Sequence, residues 1–222
     1  MTWTARPAAA DPALQHTVLH AGCGQNRQKD MPPGFRTLAW REVRYDINPA
    51  EAPDIVGSIT DMSAVASGSI DALYNSHVIE HLYAHEVPLA LAEFRRVLKP
   101  EGFVVLTCPD LQSVAEQVAG GKLLEPAYQS PSGPIAAIDI LYGFRPSLAE
   151  GNLFMAHRYG FTAASLAQHL VAAGFVRTLT ARSATYDLWA IATKGAADDE
   201  ELRWLADTFF PRFGPWTGPP PV

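Results

Sequence analysis

The stretch whose reading decides the fold is TVLHAGCGQN, Thr17 to Asn26. A β-branched, apolar run enters a tight Gly-Cys-Gly turn. That is how a buried strand opens into a crossover whose backbone comes close to a ligand. Gly22 and Gly24 supply the freedom such a turn needs. Asn26 and Arg27 stand where the two common patterns would place a third glycine. Asparagine tolerates left-handed backbone, so the turn is still expected there. Taken alone, two glycines after a strand are a weak sign, because many strand-to-helix turns use them.

The flanking sequence strengthens it. REVRYDINP (41–49) alternates Val43, Tyr45 and Ile47 and is stopped by Asn48-Pro49, which predicts a second strand. Asp46 stands near its end, about 20 residues beyond the glycines, where a carboxylate is placed to accept the hydroxyls of a ribose. DIVGSI (54–59), SIDALYNS (69–76) and GFVVLTCPD (102–110) read as further strands. Short runs that are apolar throughout suit a parallel sheet buried on both faces.

Helical signals lie between and after these strands. SHVIEHLYAHE is expected to be helical, and Pro88 starts a fresh helix, PLALAEFRRVLK, with Leu91, Phe94, Val97 and Leu98 facing the sheet. FTAASLAQHLVAAGF (161–175) is a complete helix unit, with Thr162 as its cap and Gly174 as its left-handed stop. FVRTLTA and YDLWAIATK follow as a strand pair. Residues 111–160 break the alternation; rich in aromatics, proline and glycine, they read as a lid or substrate segment over a helical start. The expected organisation is a flexible segment 1–16, one α/β domain over 17–196, and a C-terminal helix with a Pro/Gly-rich tail over 197–222.

Composition sets limits on function. Of 222 residues 48% are apolar, enough for one sizeable core and too many for global disorder. Seventeen Lys and Arg against 23 Asp and Glu give a net charge of −6, with no basic run, which argues against a nucleic-acid partner. Cys23 and Cys108 each sit alone in an apolar run and read as buried thiols. No apolar run reaches membrane-spanning length, and the first residues lack the core of a signal peptide. A soluble, cytoplasmic protein without a membrane partner is expected, as a monomer or homodimer.

These motifs together resemble the class I S-adenosylmethionine-dependent methyltransferases, in particular their small-molecule branch, from about Thr17 to Lys194. VLHAGCG is similar to the family's first motif, YDINP to its second-strand segment and GSITDM to its third. SIDALYNSHVIEHL with EFRRVLKPEGFVVLTCPD is the most specific part. His20 and Asn26 depart from the pattern, standing where an acid and the third glycine are usual, and Ser58 stands where many members have a second acid. The resemblance implies a Rossmann-like three-layer α/β/α sandwich with a mostly parallel seven-stranded sheet whose last strand is antiparallel. It implies S-adenosyl-L-methionine as cofactor, leaving as S-adenosyl-L-homocysteine, and a small-molecule acceptor methylated on O or N. The cofactor site it implies is built from Ala21, Gly22, Cys23, Gly24, Asp46, Ile47, Asp61, Met62, Asn75 and Ser76. A second reading is a cofactor-binding sensor or partner subunit without turnover.

Methyl transfer from a sulfonium is a direct displacement, so the protein supplies alignment and at most a base. Histidine is the default base near neutral pH. His77, at the mouth of the fourth strand, and His157, on the lid segment, are the catalytic candidates. Tyr128, Tyr142, Phe144, Phe154 and Tyr159 are candidates for an aromatic substrate wall. His77, His81 and His85 recur every four residues, the spacing of helical zinc ligands. On a helix, however, the first and third lie about 12 Å apart, and no metal site is expected.

Overall fold

Residues 15–211 are those the structure, a computed structural model, describes. In chain order they form β1 (His16–Ala21), β2 (Trp40–Asp46), β3 (Ile55–Val56), β4 (Ile70–Ser76), α1 (Val87–Val97), β5 (Leu98–Pro109) and α2 (Leu111–Ala119). Then come β6 (Pro126–Ser130), β7 (Gly133–Ala136), α3 (Ala137–Tyr142), α4 (Arg145–Ala149), α5 (Ala163–Ala172), β8 (Arg177–Arg182), β9 (Asp187–Thr193) and α6 (Asp199–Phe209). Seven strands pair in the order β3-β2-β1-β4-β5-β9-β8, and β6 pairs with β7 apart from them. The pairs among the first five strands are parallel; β9 runs antiparallel to both β5 and β8. This is the expected Rossmann-like sheet with an antiparallel last strand.

Alternation along the buried strands sends neighbouring residues to opposite faces. Leu19, Leu73, Val104 and Leu106 meet α1 and α5 through Leu91, Phe94, Leu166 and Leu170. Val18, Ala72, Phe103 and Val105 face the other way and meet Met31, Phe35 and three residues of α6, Leu202, Leu205 and Phe209. Between β1 and β2 the chain makes two 3-10 turns, Gln28–Asp30 and Pro33–Phe35, in place of a regular helix. Three prolyl and glycyl positions, Pro32, Pro33 and Gly34, prevent a longer one. α6 supplies the cover that the missing helix would have given, so it belongs to the same core as the sheet.

Several expectations are corrected. The helix expected over SHVIEHLYAHE is one 3-10 turn, Ile79–His81, because His77 bends the chain with a φ of +53° straight after β4. The third strand shrinks to two residues, and Ile47 lies past the end of β2 with half its surface exposed. Segment 111–160 is more regular than expected: a helix, a hairpin and two short helices. Asp110 caps α2, accepting from the Gln112 N–H and the Ser113 hydroxyl, and pairs with Arg182 at 2.6 Å. Asp139, buried, accepts from the N–H groups of Ala136 and Arg145 and pairs with the Arg145 guanidinium at 2.6 Å. The flexible ends expected over 1–16 and in the tail lie outside the described residues, except that His16 already opens β1. Among the described residues no helix is long and apolar enough to cross a membrane.

Candidate functional site

The carboxyl ends of β1, β2 and β4 converge on the Gly22–Gly24 turn. Gly22 has a φ of +73°, and a Cβ there would collide with the Val78 side chain. Gly24, at φ +48°, faces open space within 4 Å, which is the approach a ligand needs. The turn is tied to β2 by main chain and side chain: Gly22 N–H donates to Tyr45 O at 2.7 Å, and Gly24 N–H donates to Asp46 Oδ2 at 2.8 Å. The other Asp46 oxygen accepts from Asn48 N–H at 2.8 Å. Each carboxylate oxygen keeps a further lone pair. Arg44, on the same strand, donates to the carbonyls of Gly24, Asn26, Glu51 and Ala52 and so fixes the outer side of the turn.

His20 is buried and pairs with Glu42 at 2.7 Å, whose second oxygen accepts from Gln28 N–H. At this position the chain builds an internal pair that holds the loop start. Ala21 and Cys23 are buried beneath the turn, and burial raises the Cys23 thiol to about 11, so it stays protonated at neutral pH. Asn75 is fully buried: its Nδ2 donates to Ala21 O at 2.9 Å, while its Oδ1 has no hydrogen-bond partner. Ser76 is half-buried beside it, and Asp61 is exposed. Met62 is not brought to this surface. Its side chain lies in the core and its N–H donates to Glu93 at 2.6 Å, so the contact expected from it is closed.

Gly22→Ala is expected to cost about 1–3 kcal/mol, because the residue must adopt left-handed backbone and push Val78 aside. Adding Val78→Ala should restore the steric part alone. Urea melts of the single and double variants check this, and an unchanged midpoint in Gly22→Ala contradicts it.

A second set of groups lies next to the turn, around His77. Its N–H is held by Thr107 O at 2.9 Å, its Nδ1 lies 3.4 Å from Glu80 Oε1 and its Nε2 lies 3.4 Å from Asp187 Oδ1. Desolvation pulls the imidazolium down, but the Glu80 and Asp187 carboxylates outweigh it and push its pKa up to about 8. At neutral pH His77 is therefore mainly a cation between two carboxylates. Burial lowers His157 below its ordinary value, the Glu80 charge only partly opposing it. Burial also raises the Asp187 carboxyl against the pull of His77. Burial works against a charged Glu80 as well, but His77, His81 and His157 together hold its carboxyl below the usual range.

The segment carrying His157 is stitched to the turn carrying Glu80. Arg158 and Tyr159 donate their N–H groups to Glu80 O at 2.8 and 3.1 Å, and the Arg158 guanidinium donates to His81 O at 2.6 Å. Beside this seam lies a cavity of about 370 Å³, walled by Glu80 and His157, by Leu111 and Val114 of α2, and by Tyr142 and Tyr159. Of the five aromatic residues expected as a substrate wall, these two tyrosines line it. Tyr128 stacks on Tyr186, Phe144 packs on the α2–α3 cluster and Phe154 is exposed. Glu80 and Asp187 were missed as site residues by sequence reasoning; an acid inside an apolar strand-to-turn segment was the available signal for the first.

Residues 19–106 match the model of a family described as a methyltransferase domain. No curated protein matches the chain. Among solved structures, the chain is similar to the 1,6-didemethyltoxoflavin-N1-methyltransferase of Burkholderia thailandensis, solved with 1,6-didemethyltoxoflavin and S-adenosylhomocysteine bound. That likeness has 15% identity over 83% of this chain and 73% of the other, with a TM-score of 0.53. A SAM-dependent methyltransferase of Methanosarcina mazei is similar at 15% identity over 83% and 94%, TM-score 0.53. Human N-acetylserotonin methyltransferase, solved in complex with SAM, is similar at 13% identity over 84% and 50%, TM-score 0.50. The family match covers residues 19–106, and the fold is one shared with S-adenosylmethionine-dependent methyltransferases.

Proposed function

We propose that the chain binds S-adenosylmethionine across the carboxyl ends of β1, β2 and β4 and moves its methyl group to an O or N atom of a small molecule in the neighbouring cavity. The observation that carries this reading is the Gly24 turn, open in front and hydrogen-bonded through its N–H to Asp46. The residues there fit an adenosyl group. Asp46 offers its remaining lone pairs to the ribose hydroxyls, and Ile47, 51% exposed, offers an apolar face to the adenine. Asp61 offers a carboxylate to the adenine amino group. The main chain of Gly22 and Gly24 and the half-buried Ser76 face the methionine portion, over Ala21, Cys23 and Asn75 buried beneath them. The bound cofactor supplies an activated methyl carbon, so the chain's part is alignment and exclusion of water.

His77 and His157 stand on the acceptor side and are the candidates for handling its proton or fixing its position. The size of the cavity and its mixture of aliphatic, tyrosyl and titratable walls suit a small organic acceptor. The Burkholderia structure holds 1,6-didemethyltoxoflavin together with S-adenosylhomocysteine.

A second reading, a cofactor-binding sensor or partner subunit without turnover, is favoured by one observation: His20, standing where an acid is usual, is closed off in a pair with Glu42. Calorimetry with S-adenosylhomocysteine, followed by a mass-shift screen of a metabolite library with S-adenosylmethionine, separates the two. Binding with a methylated product is the expected result; binding without any product would favour the sensor reading. Absence of binding would overturn both.

A further inference from the structure

We propose that Glu80, His81 and His157 form a site for one divalent transition-metal ion at the wall of the cavity. Each residue offers a ligand atom, and these atoms all lie within 4.8 Å of one another. The chemistry of the set is that of open centres built from two histidines and one carboxylate, which bind zinc or ferrous iron and leave positions free for water or substrate.

The two imidazoles are already prepared for this. His81 Nδ1 lies 3.1 Å from Ala156 O and His157 Nδ1 lies 2.8 Å from Ile140 O. A carbonyl only accepts, so each Nδ1 carries a proton, which leaves Nε2 as the nitrogen whose lone pair a metal would take. An outer hydrogen bond of this kind fixes the tautomer and orientation of a metal-binding histidine. The rings meet edge to face with centroids 4.9 Å apart.

Glu80 gives an independent indication. Its side chain is almost wholly buried, and neither carboxylate oxygen has a hydrogen-bond partner. His77 stands at ion-pair distance on one side, but a buried carboxylate with both oxygens unbonded is costly. A cation held jointly with His81 and His157 would satisfy it.

The ligands are also held in place before any ion arrives. The hydrogen bonds from Arg158 and Tyr159 to Glu80 O, and from Arg158 to His81 O, lock together two segments far apart in sequence. Glu80 and His157 both line the cavity, so positions left open on the ion point towards whatever occupies it. Resting on the methyl-transfer reading, the acceptor is then a molecule with an oxygen or nitrogen donor that coordinates the ion and is made more acidic by it. The metal site itself does not depend on that reading.

The test uses the full chain stripped with a chelator and dialysed, without S-adenosylmethionine. Calorimetric titration with Zn2+ should show one equivalent bound, and Co2+ should give a visible absorption band at the same stoichiometry. His81→Ala and His157→Ala should each weaken Zn2+ binding at least ~100-fold, beyond the roughly 10–100-fold typical of outer-shell changes. His85→Ala, an exposed histidine outside the set, should bind as the unaltered chain does. Zn2+ should raise the melting temperature of the unaltered chain and not of the two variants. Both variant sites are half-buried, so they keep the test valid should Glu80→Gln fail to fold. No stoichiometric binding, or equal affinity in His81→Ala and His157→Ala, would overturn the site. Separate calorimetry with S-adenosylhomocysteine shows whether the cofactor reading stands or falls by itself.

Discussion

A Phe35→Ala chain is expected to lose about 3–5 kcal/mol of stability and to melt roughly 6–20 °C lower. The reason is where Phe35 sits. It has no exposed surface, and its ring lies 4.4 Å from Phe209, 5.1 Å from Trp40, 5.9 Å from Tyr74 and 6.4 Å from Phe103, centroid to centroid. In most of the sheet a helix spreads its contacts over several turns. Here two short 3-10 turns hold the place between β1 and β2, so one ring does much of the filling. The backbone around it cannot collapse into the void: Gly34 already sits so close to Phe209 that a Cβ there would lie 2.6 Å from the ring. Calorimetric or urea unfolding of the variant measures the loss. A change under about 1 kcal/mol, well below the usual cost of such a truncation, would mean that the aromatic cluster repacks freely.

Asp46→Ala is expected to weaken S-adenosylhomocysteine binding well over tenfold. The carboxylate acts twice, because it would receive the ribose and it restrains the turn through Gly24 and Asn48. Charge-assisted hydrogen bonds contribute about 1.5–3 kcal/mol each, so removal of both ligand bonds alone accounts for more than a hundredfold. Asp46→Asn keeps one acceptor oxygen and should fall between the two. Isothermal calorimetry, with circular dichroism to establish folding, gives the answer. A folded Asp46→Ala chain that binds within threefold of the unaltered one would remove Asp46 from the site.

The parts of this molecule legible in the sequence are those whose cause is local. Val18 and Leu19, or Val104 and Val105, announce a strand buried on both faces because both neighbours in sequence must be apolar. Gly22, Gly24 and Asp46 could be picked out by spacing, since a turn and a strand end lie within one crossover. The helix expected at 76–86 failed because fourfold histidine spacing imitates a helical face. The left-handed backbone of His77 starts a turn instead, and nothing in composition reports that. The order in 111–160 was hidden for another reason. It depends on Asp110 meeting Arg182, 72 residues away, and on Asp139 collecting four hydrogen bonds, and neither is periodic. Likewise His157 comes beside Glu80 and His81 only through hydrogen bonds between two distant loops. A search for ligands along one helix could not find it.

The position of α6 has a consequence for biosynthesis. It follows every strand among the described residues, yet through Leu202, Leu205 and Phe209 it seals the aromatic side of the sheet. While the chain is being translated, that side stays uncovered and sticky until α6 clears the ribosome. Polar substitutions at Leu205 or Phe209 should therefore reduce soluble yield in cells out of proportion to the melting temperature of the protein that survives.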